Sequence, residues 1–165
     1  MLQNKIKKAK KITIDKSIVS FVSTSEKERL QIEYFFEPEH KKVFASVIFG
    51  DLAQGPPGYA HGGAIAAVLD EAMGITAWMN NLKVLTIELT TQYHKAIKLN
   101  TRVYVESMIS KRNGDELIIK SLLTDESGNL AFASAEAKFA ILGNEKWLSI
   151  GIDTSNFISD DYIEK

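Results

Sequence analysis

At 165 residues, with 45% apolar and 25% charged residues, the chain has the composition of one globular domain large enough to bury a core. Its formal net charge of -1 leaves no footprint for nucleic acid across the molecule, although Lys5, Lys7, Lys8, Lys10 and Lys11 make a basic run that reads as a solvated tail. The lack of cysteine excludes disulfides, thiolate catalysis and Cys-ligated zinc and suits a cytoplasmic setting, while His40, His61 and His94 have no metal-binding spacing, so neither metal nor cofactor is expected.

Residues 1–29 are polar and lysine-rich around a short apolar patch, Ile18 to Val22, and read as a frayed N-terminal extension with a small helix or strand and no apolar signal-peptide core. Leu30 to Phe36 and Val43 to Phe49 are rich in β-branched and aromatic residues, and the polar stretch between them predicts a hairpin. In the loop that follows, Pro56, Pro57 and Gly58 forbid regular structure, and Gly62 and Gly63 allow close backbone approach. From Ala64 to Met79 apolar residues lie on nearly every side, which predicts a helix buried all round. A membrane span is the competing reading, but Asp70 and Glu71 at mid-helix would cost about 5 to 7 kcal/mol on insertion. These two acids project about 100° apart, so they face different ways; Glu71 is assigned to an interface or to solvent.

Val84 to Tyr93 alternates as a strand, with Leu85, Ile87 and Leu89 on one face and Thr86, Glu88 and Thr90 on the other. Arg102 to Ser110, Glu116 to Asp125 and Leu130 to Leu142 alternate in the same way, separated by Asn113-Gly114-Asp115 and Glu126-Ser127-Gly128-Asn129, both turn sequences. Residues 143–165 read as a C-terminal tail. The expected architecture is α+β: a curved antiparallel sheet of about six strands, the last four in a meander, wrapped around one long helix, since one flat sheet cannot cover every face of it. Unpaired sheet edges lead us to expect a homodimer or a dimer of dimers.

His61-Gly62-Gly63, followed nine positions after the His by Asp70, with Gly-Pro-Pro-Gly before it and the VLTIELTTQY strand after it, resembles the hot-dog-fold acyl-CoA thioesterases. The PaaI-like and mammalian thioesterase-superfamily branches are the most similar, over residues 30–142. The resemblance implies that Gly62 polarises the thioester carbonyl through its N–H, and that Asp70 is general base or nucleophile. It further implies that Thr86, sixteen positions beyond Asp70, holds the water or the acid. His61 and Gly63 would complete the substrate-binding turn, with His61 as a loop anchor rather than a base. Gln92, His94, Lys111 and Arg112 stand where relatives grip the coenzyme A phosphates. Coenzyme A is then part of the substrate, not a cofactor. Two positions depart from the pattern: Gly55 stands where one branch has an Asn, and Tyr93-His94-Lys95-Ala96 replaces Tyr-x-Arg-Pro.

A thioester under attack builds negative charge on its carbonyl oxygen, and a helix start offers free N–H donors for it. Burial among Ala66, Ala67 and Leu69 is expected to raise the pKa of Asp70 and make it a better base. Gly62 and Asp70 are eight residues apart, about 12 Å along a helix, too far to serve one reacting carbon. A site combining Gly62 of one chain with Asp70 and Thr86 of another is therefore expected, with Trp78, Met73 and Phe132 as candidates for the acyl pocket. The alternatives are a non-catalytic acyl-CoA sensor and a hot-dog hydratase or dehydratase.

Overall fold

The computed structural model describes residues 2–14, 20–23 and 25–152. The hairpin forms as expected, with strands β2 (Leu30–Glu37) and β3 (Lys42–Phe49) meeting in full antiparallel register. After a one-turn 3-10 helix (Asp51–Ala53) and the glycine-proline loop comes the long helix. It runs from Gly62 to Met79, with a preceding five-residue helix (Leu2–Ile6) making it the second; we label them α2 and α1. Val68, Leu69, Ala72 and Met73 on α2 have no exposed surface. Its hydroxyl-bearing Thr76 is equally buried and is satisfied by Ala72 O at 2.7 Å and Ser107 Oγ at 2.8 Å, which ties the helix to the sheet behind it.

The remaining strands are β4 (Val84–Tyr93), β5 (Arg102–Asn113), β6 (Glu116–Thr124) and β7 (Ala131–Ile141), and a short β1 (Lys10–Ile12) precedes the hairpin. All belong to one antiparallel sheet in the order β1-β2-β3-β5-β6-β7-β4. α2 touches β3 through β7, so the sheet does curl around it. The strand count is seven rather than six, because the N-terminal segment contributes β1. The meander also stops one strand short: β5, β6 and β7 follow one another, but β4 lies at the far edge beside β7. The link from Tyr93 to Arg102 makes this possible, since its eight residues reach about 26 Å extended while three strand spacings need about 14 Å.

Edge position also changes the faces of β4. A bulge between Thr86 and Glu88 leaves Ile87 without an opposite residue, so strict alternation breaks there. Leu85, Ile87, Leu89 and Tyr93 are all exposed, Ile87 by 59%.

Nor is the N-terminal segment a solvated tail throughout. α1 lies on the outer face of the sheet, where Leu2 packs with Phe44 and Tyr104 and lets β3 bury both its faces. Lys5 and Lys42 share the Glu106 carboxylate at 3.0 and 2.7 Å, and Lys11 pairs with Glu33 at 2.8 Å. Part of the predicted apolar patch, residues 18 and 19, lies outside the described residues, but Val22 is buried in the main core. Past the sheet, a third helix, α3 (Asn144–Ser149), buries Trp147. Among the described residues no helix is long and apolar enough to cross a membrane.

Candidate active site

The helix start is shaped by its cap. His61, in extended conformation, accepts the Gly63 N–H on Nδ1 at 2.9 Å, so its imidazole is anchored as expected and Gly63 is already engaged. The Gly62 N–H has no acceptor among the described residues, which leaves it as a donor aimed out of the first turn. Tyr93, at the end of β4, donates its hydroxyl to Gly62 O at 2.9 Å and lays its ring over the glycine. Sequence reading noted Tyr93 only as part of a motif; its role in pinning the helix start to the edge strand depends on a contact between elements.

The Gly55 departure has a steric reason. A Cβ there would sit 2.9 Å from His61 Cα, so no side chain fits unless the loop shifts. Its neighbour Gln54 spends its side-chain oxygen on the Gly58 N–H at 2.9 Å.

Two turns into α2, Asp70 faces β4. Thr86 Oγ1 donates to Asp70 Oδ1 at 3.0 Å, the pairing that the resemblance implied. Burial raises the Asp70 pKa from its ordinary value, and the Thr86 hydrogen bond partly opposes that rise. Asp70 and Thr86 line a mostly apolar cavity of about 330 Å³, whose floor on α2 includes Ala67, Gly74 and Trp78. A Cβ at Gly74 would meet nothing within 4 Å, so this position keeps the cavity open. Of the three pocket residues expected, Trp78 lines it, Met73 is turned wholly into the core, and Phe139 stands where Phe132 was expected.

Glu71, expected at an interface or in solvent, is half-buried and hydrogen-bonded within the chain. Its carboxylate accepts the buried Tyr34 hydroxyl at 3.0 Å and the hydroxyls of Ser20 and Ser23. Burial, and then the adjacent Glu71 charge, hold the Tyr34 phenol well above its usual pKa, so it is a neutral donor.

The four residues expected at the coenzyme A phosphates do not form one cluster within a chain. Gln92 is on the outer face of the sheet among Thr90, Lys120 and Ser134, and His94 Nε2 lies 2.9 Å from Ser134 Oγ. Lys111 pairs across β6 and β7 to the level of Glu88, four residues from Gln92 along β4. With three strand spacings between them, Lys111 and Gln92 are on the order of 20 Å apart. Arg112 turns back to its own hairpin, Nε donating to Gly114 O at 3.2 Å.

A single long helix in a curled antiparallel sheet, with an acid at mid-helix and a glycine at its start, defines a hot-dog-fold protein. The family model described as the thioesterase superfamily matches residues 57–132 of the chain. Acyl-coenzyme A thioesterase THEM4 of Rattus norvegicus is 32% identical over 124 residues, 74% of this chain and 54% of that protein. Acyl-coenzyme A thioesterase THEM5 of Homo sapiens is 27% identical over 112 residues, covering 68% and 45%. The chain thus spans about half the length of the curated relatives it matches. Among solved structures, a Streptococcus mutans UA159 protein bound to acetyl CoA superposes with a TM-score of 0.62 at 18% identity, over 76% of this chain and 96% of that one.

Proposed function

We propose that the protein is a cytoplasmic acyl-CoA thioesterase. The observation that carries this reading is the Asp70–Thr86 pair, 3.0 Å between Oδ1 and Oγ1, at an apolar cavity of acyl size. Asp70, with one oxygen held by Thr86, takes a proton from water through the other. The water oxygen bonds to the thioester carbon, and negative charge moves to the carbonyl oxygen against a Gly62 N–H. Collapse breaks the C–S bond, and the coenzyme A thiolate leaves and takes up a proton. The relatives named as acyl-coenzyme A thioesterases, and the neighbour bound to acetyl CoA, support this substrate class.

Gly62 and Asp70 of one chain remain about 12 Å apart along α2, so the site needs a second copy. β4 is the long open edge, Tyr93 holds Gly62 near one end, and Thr86 holds Asp70 near the other. Antiparallel pairing of two β4 strands about Leu89 would set Tyr93 of each copy near Thr86 of the other. Each Gly62 would then approach the second copy's Asp70, giving two sites per dimer. Pairing also moves the Gln92 and His94 end of one copy toward the Lys111 and Arg112 end of the other, the arrangement a coenzyme A phosphate site would require.

Free thiol release from a panel of acyl-CoAs by wild type and Asp70→Asn tests the chemistry. Release abolished or strongly reduced by the substitution is expected; release indifferent to it would overturn the mechanism. A monomer with full activity, seen by light scattering at assay concentration, would overturn the shared site.

A further inference from the structure

The acyl cavity has a wall that the family match does not contain. Residues 57–132 supply its floor on α2 and its β4 side, whereas Ile14, Ser20, Phe21, Val22 and Ser23 close the opposite side from the N-terminal segment. Besides the packing of Val22 into the core, that wall is held by hydrogen bonds to one carboxylate, Glu71. The Ser20 hydroxyl accepts the Val22 and Ser23 N–H groups at 3.2 and 3.1 Å, which shapes a tight turn, and it also donates to Glu71. Ser23 donates to the other Glu71 oxygen, where Tyr34 also bonds. Three hydroxyl donors thus converge on the two oxygens of one carboxylate, which accepts all of them. Because Asp70 and Glu71 are adjacent on α2, one acid looks across the cavity to β4 and the other holds the wall facing it.

We propose that Glu71 is a positioning residue that latches residues 20–23 against α2, and that this latched wall sets the longest acyl chain the site accepts. Phe21 is 71% exposed and lines the cavity, so it gains little from burial of its own and relies on the serines beside it to stay in place. Gly74 adds to the same design, since its missing side chain is the space into which a chain extends past Asp70. Apart from the two acids and the hydroxyls of Ser20, Ser23 and Thr86, the lining is apolar, which suits an aliphatic acyl chain. This inference rests on the thioesterase reading for its substrate and on the Glu71 contacts for its geometry.

The test uses the full chain and saturated acyl-CoAs from acetyl to stearoyl, with kcat and KM measured separately. In the Ser20→Ala/Ser23→Ala double variant and in Glu71→Gln, kcat/KM for chains one or two methylenes beyond the wild-type limit should rise about tenfold relative to acetyl-CoA, the discrimination an apolar pocket makes per methylene. The Ser20→Thr/Ser23→Thr variant keeps both hydroxyls and should restore the wild-type limit. A length profile that stays unchanged while the protein remains folded by circular dichroism would overturn the latch. If wild type releases no thiol, the thioesterase reading falls alone, and the latch is read from Trp78 fluorescence during titration with free fatty acids of the same lengths. A shift of the binding limit in the double variant then supports it, and an unshifted limit overturns it.

Discussion

Thr86→Val isolates the group that holds the candidate base. The substitution keeps the β-branched shape on an edge strand and deletes one O–H donor, the one that reaches Asp70 at 3.0 Å. A hydrogen bond to a charged acceptor contributes about 1.5 to 3 kcal/mol, and the exposure of Thr86 places this one at the lower end. About 1.5 kcal/mol corresponds to about a tenfold loss in kcat/KM. The pH profile supplies the sharper reading. Burial already raises the Asp70 pKa and Thr86 works against that rise, so removing Thr86 raises it further. A general base must be ionised, so the acid limb of kcat/KM should move to higher pH, and wild type and variant should differ most on that limb. Thr86→Ser should return most of the rate and bring the limb back. An acid limb that stays put, or moves to lower pH, in a variant that has lost activity would refute the assignment of Thr86 as partner of the base.

Asp70→Asn should be more stable than wild type at neutral pH by thermal denaturation. A carboxyl whose folded pKa is raised contributes stability in its protonated form, which is lost as pH rises through the folded value, so the advantage of Asn should vanish in acid. Gly55→Ala should cost about 1 to 3 kcal/mol through overpacking against His61 and should lower thiol release with it, as read from urea unfolding and the same assay. Thr76→Val leaves the buried Ser107 hydroxyl without its partner and should cost about 1 to 3 kcal/mol in urea, with the acyl-length profile unmoved. Burial pushes the Glu106 carboxyl up, but the hydrogen bonds and charges of Lys42 and Lys5 outweigh it and hold the pKa below the ordinary value. Its contribution to stability is therefore present above the unfolded pKa and lost as pH falls through the folded one, and Glu106→Gln should flatten that part of a pH titration of the melting temperature.

The segment from Gly55 to Met79 was legible because each feature there is local. Glycines and prolines mark the loop, and apolar residues on all sides announce a helix that the sheet must surround. Thr86 could be placed opposite Asp70 because the resemblance supplied the spacing. The position of β4 could not be read, since alternation announces a strand without naming its neighbours, and the bulge at Ile87 conceals which residues share a face. The partners of Glu71 could not be read for a related reason. Ser20, Ser23 and Tyr34 come from two distant stretches, although a second acid in so apolar a helix already demanded hydrogen-bond donors nearby. The N-terminal segment was undervalued because lysines dominate its composition, while Leu2, Ile12 and Val22 carry its packing.

The two ends of the sheet are unlike. At one, β1 is three residues long and presents Lys10 and Lys11, both exposed, a short charged margin on which a further strand would gain few hydrogen bonds. At the other, β4 offers ten residues with exposed leucine, isoleucine and tyrosine side chains. A sheet that welcomes continuation at one margin and discourages it at the other cannot grow into a ribbon. Joining like margin to like uses up the open edges of both copies and leaves only lysine-bearing ends outermost, so assembly by this route terminates of its own accord at a closed pair.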